Sequence, residues 1–186
     1  MIAFTTMFGT IVPAQANQAP AAATQLSKWS LGVLNEGEKY GVFPIAWYYD
    51  GFQEQISQDK LQSLLEATSN KLASLGLKVK SNLSSQTFKT DITREIVMNS
   101  LYNVLAQYKL PETLEIDKQT PLDYLQKRGI VTGTGNGLEL EKSCTVEQAA
   151  VIASRLIKDT YAAVGGGAKG LLWKVSNGNN TLYLLG

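Results

Sequence analysis

Three stretches of the chain repeat one arrangement of apolar and polar positions. They are residues 56–72 (ISQDKLQSLLEATSNKL), 92–108 (ITREIVMNSLYNVLAQY) and 144–161 (CTVEQAAVIASRLIKDTY). Each opens on an apolar residue, then a Ser or Thr, then an acid two residues on. A hydroxyl there caps the first helical N–H groups, the apolar residue before it acts as a staple, and the acid favours the positive end of the helix dipole. Apolar side chains then recur at helical spacing: Leu61, Leu64, Leu65 and Leu72; Ile96, Val97, Leu101, Val104 and Leu105; Ala149, Val151, Ile152, Leu156 and Ile157. This spacing predicts three amphipathic helices.

Two further helices are expected at about residues 28–40 and 121–127. Each ends at a glycine, Gly41 or Gly129, which suits a left-handed helix end. An apolar pair and a turn follow each, in GVFPIAWYYDGF and RGIVTGTGNGLELEKS, before the next capped helix begins. The unit is therefore helix, Gly turn, short extended piece, capped helix. It occurs about twice, with an extra capped helix between. The fold class expected is mostly α: a paired-helix domain over residues 26–161.

The two ends read differently. Residues 2–12 are an apolar run, followed by Pro13 and Ala14-Gln15-Ala16. A short apolar core before an A-x-A site reads as a secretory signal over residues 1–16. It is shorter than the roughly 20 residues that span a bilayer. No Lys or Arg precedes Ile2, which points to a start further upstream. Residues 17–25, rich in Ala, Pro and Gln, read as a flexible leader. At the other end, a Gly-rich linker is expected over residues 162–170. LLWKV, SNGNN and TLYLLG then read as a β-hairpin over residues 171–186, because Asn-Gly between β-prone runs is a hairpin signal. Its strands are apolar on both faces, and a lone hairpin is marginal in water. It should belong to a larger α+β domain that this chain does not contain.

Composition narrows the chemistry. Seventeen basic residues face 16 acidic ones, a net charge of +1, so no overall field favours nucleic acid. The chain has no histidine and one cysteine, Cys144. That removes His-based zinc sites, Ser-His and Cys-His catalysis, and any internal disulfide. The acids lie at helix-surface spacings without a D-x-D cluster. These residues alone are therefore not expected to form an enzyme, and no cofactor or metal site is expected within them. Cys144, at a helix start with no histidine base, reads as a small buried apolar residue. GTGNG, residues 133–137, reads as a tight turn needing positive φ, because a helix and not a strand precedes it and no helix follows directly.

The helix–turn–helix unit resembles the S-layer homology repeat of Gram-positive surface proteins, in degenerate form over residues 28–161. Trp29, the run Gly129-Ile130-Val131-Thr132-Gly133, and Ile92-Thr93-Arg94-Glu95 carry the likeness. The resemblance implies a module at the cell surface that holds cell-wall polysaccharide through Trp29, Thr93, Arg94 and Glu95. An arginine suits an anionic polymer because its planar fork grips carboxylate or phosphate at two points. The other two capped helices carry Gln58 and Val146 where the family has arginine. A second reading of the same residues stays open: Thr93 and Glu95 cap a helix, Arg94 is solvated, and the domain contacts a protein partner or its own hydrolase domain.

Leu172-Trp173-Lys174-Val175, the polar turn and Thr181-Leu182-Tyr183-Leu184-Leu185-Gly186 resemble the opening of the TraB/GumN family of metal-dependent hydrolases, related to Tiki-type peptidases. In that family the second strand runs into a Gly-x-x-His motif. Gly186 matches the motif's glycine, and the histidine would lie three residues beyond. The resemblance implies an exported parent protein whose catalytic part, with a divalent metal, begins where this chain ends.

Overall fold

The computed structural model describes residues 26–81 and 91–165, and the backbone alone of 172–177 and 180–185. The helical part contains α1 (Leu31–Tyr40), α2 (Gln58–Ser74), α3 (Arg94–Ala106), α4 (Pro121–Lys127) and α5 (Val146–Ala163), with short 3-10 turns at Ile45–Tyr49, Glu112–Leu114 and Ile116–Lys118. The expectation of a mostly helical protein holds. The signal, the leader and Gly186 lie outside the described residues.

The three repeated stretches begin α2, α3 and α5. Ser57, Thr93 and Thr145 sit at the N-caps in extended conformation and accept the N–H of Lys60, Ile96 and Gln148. At Thr145 the Gln148 side chain also reaches back to the cap N–H, so the box is reciprocal. Ile56, Ile92 and Cys144, the apolar residues before the caps, are buried. α1 begins at Leu31, three residues after the expected start. α1 ends on Gly41 at φ 67°, and Gly129, at φ 68°, follows α4.

These cap segments also build the centre of the fold. The stretch before α5 pairs on both sides, through bridges Gln55–Thr145 and Thr93–Ser143. Ile56 N–H donates to Cys144 O at 2.8 Å, and Cys144 N–H donates to Ile92 O at 3.0 Å. First-turn N–H groups have no partner inside their own helix. Here Arg94 and Glu95 donate theirs to Lys142 O and Leu140 O, and Val146 and Glu147 donate theirs to Glu54 O and Phe52 O. The starts of α3 and α5 are thus fastened by the turns at residues 139–142 and 51–54 rather than left to water.

Around this hub α1 packs on α5, α2 on α3 and α5, and α3 on α4 and α5. One core results, from Leu34 through Leu61, Leu64, Leu101 and Leu105 to Leu156 and Ile157. The stretch after α1 is not the extended piece expected from the repeat. Ile45–Tyr49 makes a 3-10 turn. Phe43, Trp47, Tyr48 and Phe52 then close into an aromatic cluster, with ring centroids 4.8 Å apart for Tyr48–Phe52 and 5.6 Å for Phe43–Tyr48. Burying these large rings favours a compact turn over an extended run after Pro44.

Of the expected C-terminal hairpin only the strand backbone is described; its side chains and residues 171, 178, 179 and 186 lie outside the described residues. The backbone of β1 (Leu172–Asn177) and β2 (Asn180–Leu185) is set in antiparallel register, Leu172 opposite Leu185. Nothing described supports its place in a larger sheet.

Candidate functional site

Trp29 and Arg94 are far apart in sequence but line one cleft of about 380 Å³. Its remaining walls are Thr132, Gly133, Thr134, Gln148 and Arg155. Four elements supply them: the turn before α1, the N-terminus of α3, the first half of α5, and the glycine-rich loop after α4. The hub brings them together, because it holds the starts of α3 and α5 side by side.

Trp29 is 54% exposed and presents an aromatic face at the rim. Arg94 is the opposite case. Only 6% of it is accessible, and its Nε donates to Leu138 O at 2.8 Å. It is not the solvated side chain that one reading of the sequence expected. Gln148 has its Oε1 committed to the Thr145 cap, which fixes the side chain. The glycine loop closes on itself, with Thr134 N–H donating to Gly137 O at 2.8 Å and Gly137 N–H returning to Thr134 O at 3.1 Å. Gly137 stands at φ 89°, so the positive-φ turn expected for GTGNG is present.

The charge of the cleft is one-sided. Neither Arg94 nor Arg155 has a carboxylate within 4.0 Å among the described residues, and the cleft walls contain no acid. Glu139 lies just behind the loop. Its carboxyl accepts Thr134 Oγ1–H at 2.7 Å and pairs with Lys142 at 2.5 Å. Lys142, then Thr134, with a smaller pull from Arg94, hold that carboxyl below its usual range. Glu139 is therefore already committed to Lys142 and Thr134.

Of the residues proposed from sequence, Trp29 and Arg94 meet in the cleft. Thr93 and Glu95 serve α3 locally, Thr93 as its cap and Glu95 as the acid of its first turn. At the equivalent positions of the other capped helices, Gln58 is exposed and Val146 is buried in the core. Sequence reasoning missed Arg155. It lies in the third turn of α5, where a lone cation on a helix reads as ordinary surface.

A second feature was also missed. Glu147, read as an acid favouring the helix dipole, is buried. It accepts Ser27 N–H at 2.9 Å, Ser27 Oγ–H at 2.8 Å and Ser30 Oγ–H at 2.6 Å. It fastens the segment that carries Trp29 onto α5 and so sets the rim of the cleft. Cys144 is wholly buried, and burial pushes its thiol up to about 12, so it holds no reactive thiolate. Among the described residues no three His, Cys, Asp or Glu side chains are grouped to hold a metal. Within the same residues no helix is long and apolar enough to cross a membrane.

Comparison of the chain with family models, with curated proteins and with solved structures finds no match.

Proposed function

We propose that the helical domain is a surface module of an exported protein, and that the Trp29–Arg94 cleft binds an anionic cell-wall polysaccharide. The observation that carries this is the convergence in one cleft of an exposed indole and an arginine that has no carboxylate partner among the described residues. Sugar rings stack on aromatic faces through their C–H surfaces, while a guanidinium holds a carboxylate or phosphate in two places. The S-layer-homology likeness also supports the reading: of the four residues it named, Trp29, Thr93, Arg94 and Glu95, the first and third meet in the cleft. The TraB/GumN likeness of the last residues adds what the module would position: a metal-dependent hydrolase or peptidase whose catalytic part lies beyond Gly186. No chemistry is assigned to the described residues themselves.

The test is cosedimentation of the purified chain with cell walls of a spore-forming Gram-positive bacterium. The wild-type chain is expected in the pellet. Arg94→Gln and Trp29→Ala are each expected to shift about tenfold or more of it to the supernatant, the scale of one lost charge-assisted hydrogen bond or stacking contact. Retention that is indifferent to both substitutions would sink the reading.

One observation favours a second reading. With Gln58 and Val146 at the other two helix starts, a single arginine remains where the family has three. In that reading the helical domain contacts a protein partner or its own hydrolase domain and leaves the wall alone. Failure of the wild-type chain to pellet with walls, with its helical circular dichroism intact, decides for it.

A further inference from the structure

Arg155 lines two clefts at once. On one side it faces the Trp29–Arg94 cleft. On the other it faces a cleft of about 350 Å³ that runs along α5 past Ile130 towards Arg128 and Lys158. Arg128 and Lys158 are already answered. Arg128 grips Asp159 with two bonds, at 2.5 and 2.8 Å, and Lys158 pairs with Glu36 at 2.8 Å. Among the described residues Arg155 has only neutral acceptors, Ile130 O at 3.5 Å and Thr132 Oγ1 at 3.3 Å. These distances are at or beyond the upper end for an N–H···O bond. Its partial burial disfavours the charge, and no carboxylate among the described residues offsets that cost.

We propose that Arg155 is a second anion-binding residue, joining the two clefts so that a linear polyanion held at Arg94 continues along α5 with its next charged unit on Arg155. The ligand is then a polysaccharide with an acidic group on successive repeats, and not a single acidic sugar. This rests on the cleft reading above and extends it. The geometry gives two guanidiniums in one cleft with no carboxylate within 4.0 Å among the described residues, and beyond the second a cleft whose acids, Glu36 and Asp159, are paired to Lys158 and Arg128. A ligand with one charge satisfies Arg94 and leaves Arg155 as it is. A ligand with repeated charge answers both, and each bidentate contact with an acidic group adds to affinity.

The experiment is titration calorimetry of the full chain with two series of probes. One is galacturonic acid and its dimer and tetramer, for carboxylates. The other is glycerol phosphate and short poly(glycerol phosphate), for phosphates. In the series that binds, the oligomer is expected to bind at least tenfold tighter than the monomer. Arg155→Gln is expected to weaken the oligomer about tenfold and the monomer less than twofold. Arg94→Gln weakens both. Arg155→Lys, which keeps the charge but not the fork, restores part of the oligomer affinity. Thermal melts of each variant show that the fold is kept.

An Arg155→Gln variant that binds the oligomer as wild type does overturns the inference and leaves the Arg94 cleft standing. Equal losses for monomer and oligomer also overturn it, since both guanidiniums would then share one anion. Wild-type chain that pellets with walls but binds neither series removes the repeated-charge ligand alone. Wild-type chain that binds neither walls nor probes removes the cleft reading as well.

Discussion

Tyr124 and Cys144 show what single buried groups do here. Both are wholly inaccessible, and Tyr124 Oη has no hydrogen-bond partner among the described residues. A buried hydroxyl without a partner costs roughly 1–3 kcal/mol. Tyr124→Phe keeps the ring that packs against Tyr102 at 5.6 Å and removes the orphan. Chemical denaturation is expected to show it equal to wild type or about 1 kcal/mol more stable; a loss above that would reveal a bonded hydroxyl. Burial also pushes the Tyr124 phenol and the Cys144 thiol up to about 12, from ordinary values of 10.0 and 9.0. Both groups ionise earlier in the unfolded chain than in the fold. Their neutral forms therefore favour the fold at no cost below pH 9, and stability falls as pH rises from about 9 towards 12. Melting temperature should be flat with respect to these groups from pH 7 to 8.5 and then decline, and Cys144→Ala should soften the decline. At pH 8 the Cys144 thiol should resist alkylation until the protein unfolds.

Among the elements, α5 is held at both ends of its first half. Its capping box is reciprocal, whereas Ser57 caps α2 singly and at the surface. Thr145→Ala is expected to cost about 1–2 kcal/mol and Ser57→Ala less, by the usual worth of a cap. The reverse order in urea denaturation would show that the hub, not the box, holds α5. α1 meets α5 at Gly37, where an added Cβ would stand 2.1 Å from Ser154 Oγ and 3.0 Å from the Phe43 ring. Ser154 cannot readily yield, because it donates to Ala150 O at 2.7 Å inside the core. Gly37→Ala gains roughly 1 kcal/mol of helix propensity but overpacks this contact. A net loss of about 1–2 kcal/mol is expected; a gain would mean that α1 is free to lift from α5. Such helix starts and ends are the most legible part of the sequence. A cap and the N–H that donates to it lie within four residues, so Ser57, Thr93 and Thr145 announce themselves. The Ile45–Tyr49 turn does not, because its aromatic cluster depends on partners that the repeat pattern does not contain.

For the whole molecule, the hub makes the helices one cooperative unit. The N–H groups of Ile56, Arg94, Cys144 and Val146 bond across segments distant in sequence, so none can open alone. Their exchange with deuterium should require global unfolding, while Lys80 and Ser81, whose N–H groups share Gln107 O at the exposed surface, exchange earlier. Hub amides that exchange before those of α1 would show that the helices fold as separate pieces.

Much follows from the chain taken by itself: five helices, the capped starts of α2, α3 and α5, the glycine ends of α1 and α4, and the buried role of Cys144. These depend on periodicity and on contacts a few residues apart, which composition and spacing record directly. The cleft depends on something else. Trp29, Arg94 and Arg155 come from three elements, and no local pattern relates them. The pairing of the segments before α2, α3 and α5 decides that they meet. Glu147 buries its carboxylate under Ser27 and Ser30 and sets where Trp29 stands. Whether a guanidinium is answered or left without a counter-charge is likewise a matter of which acids the packed fold brings within reach. That distance exists only in the tertiary structure.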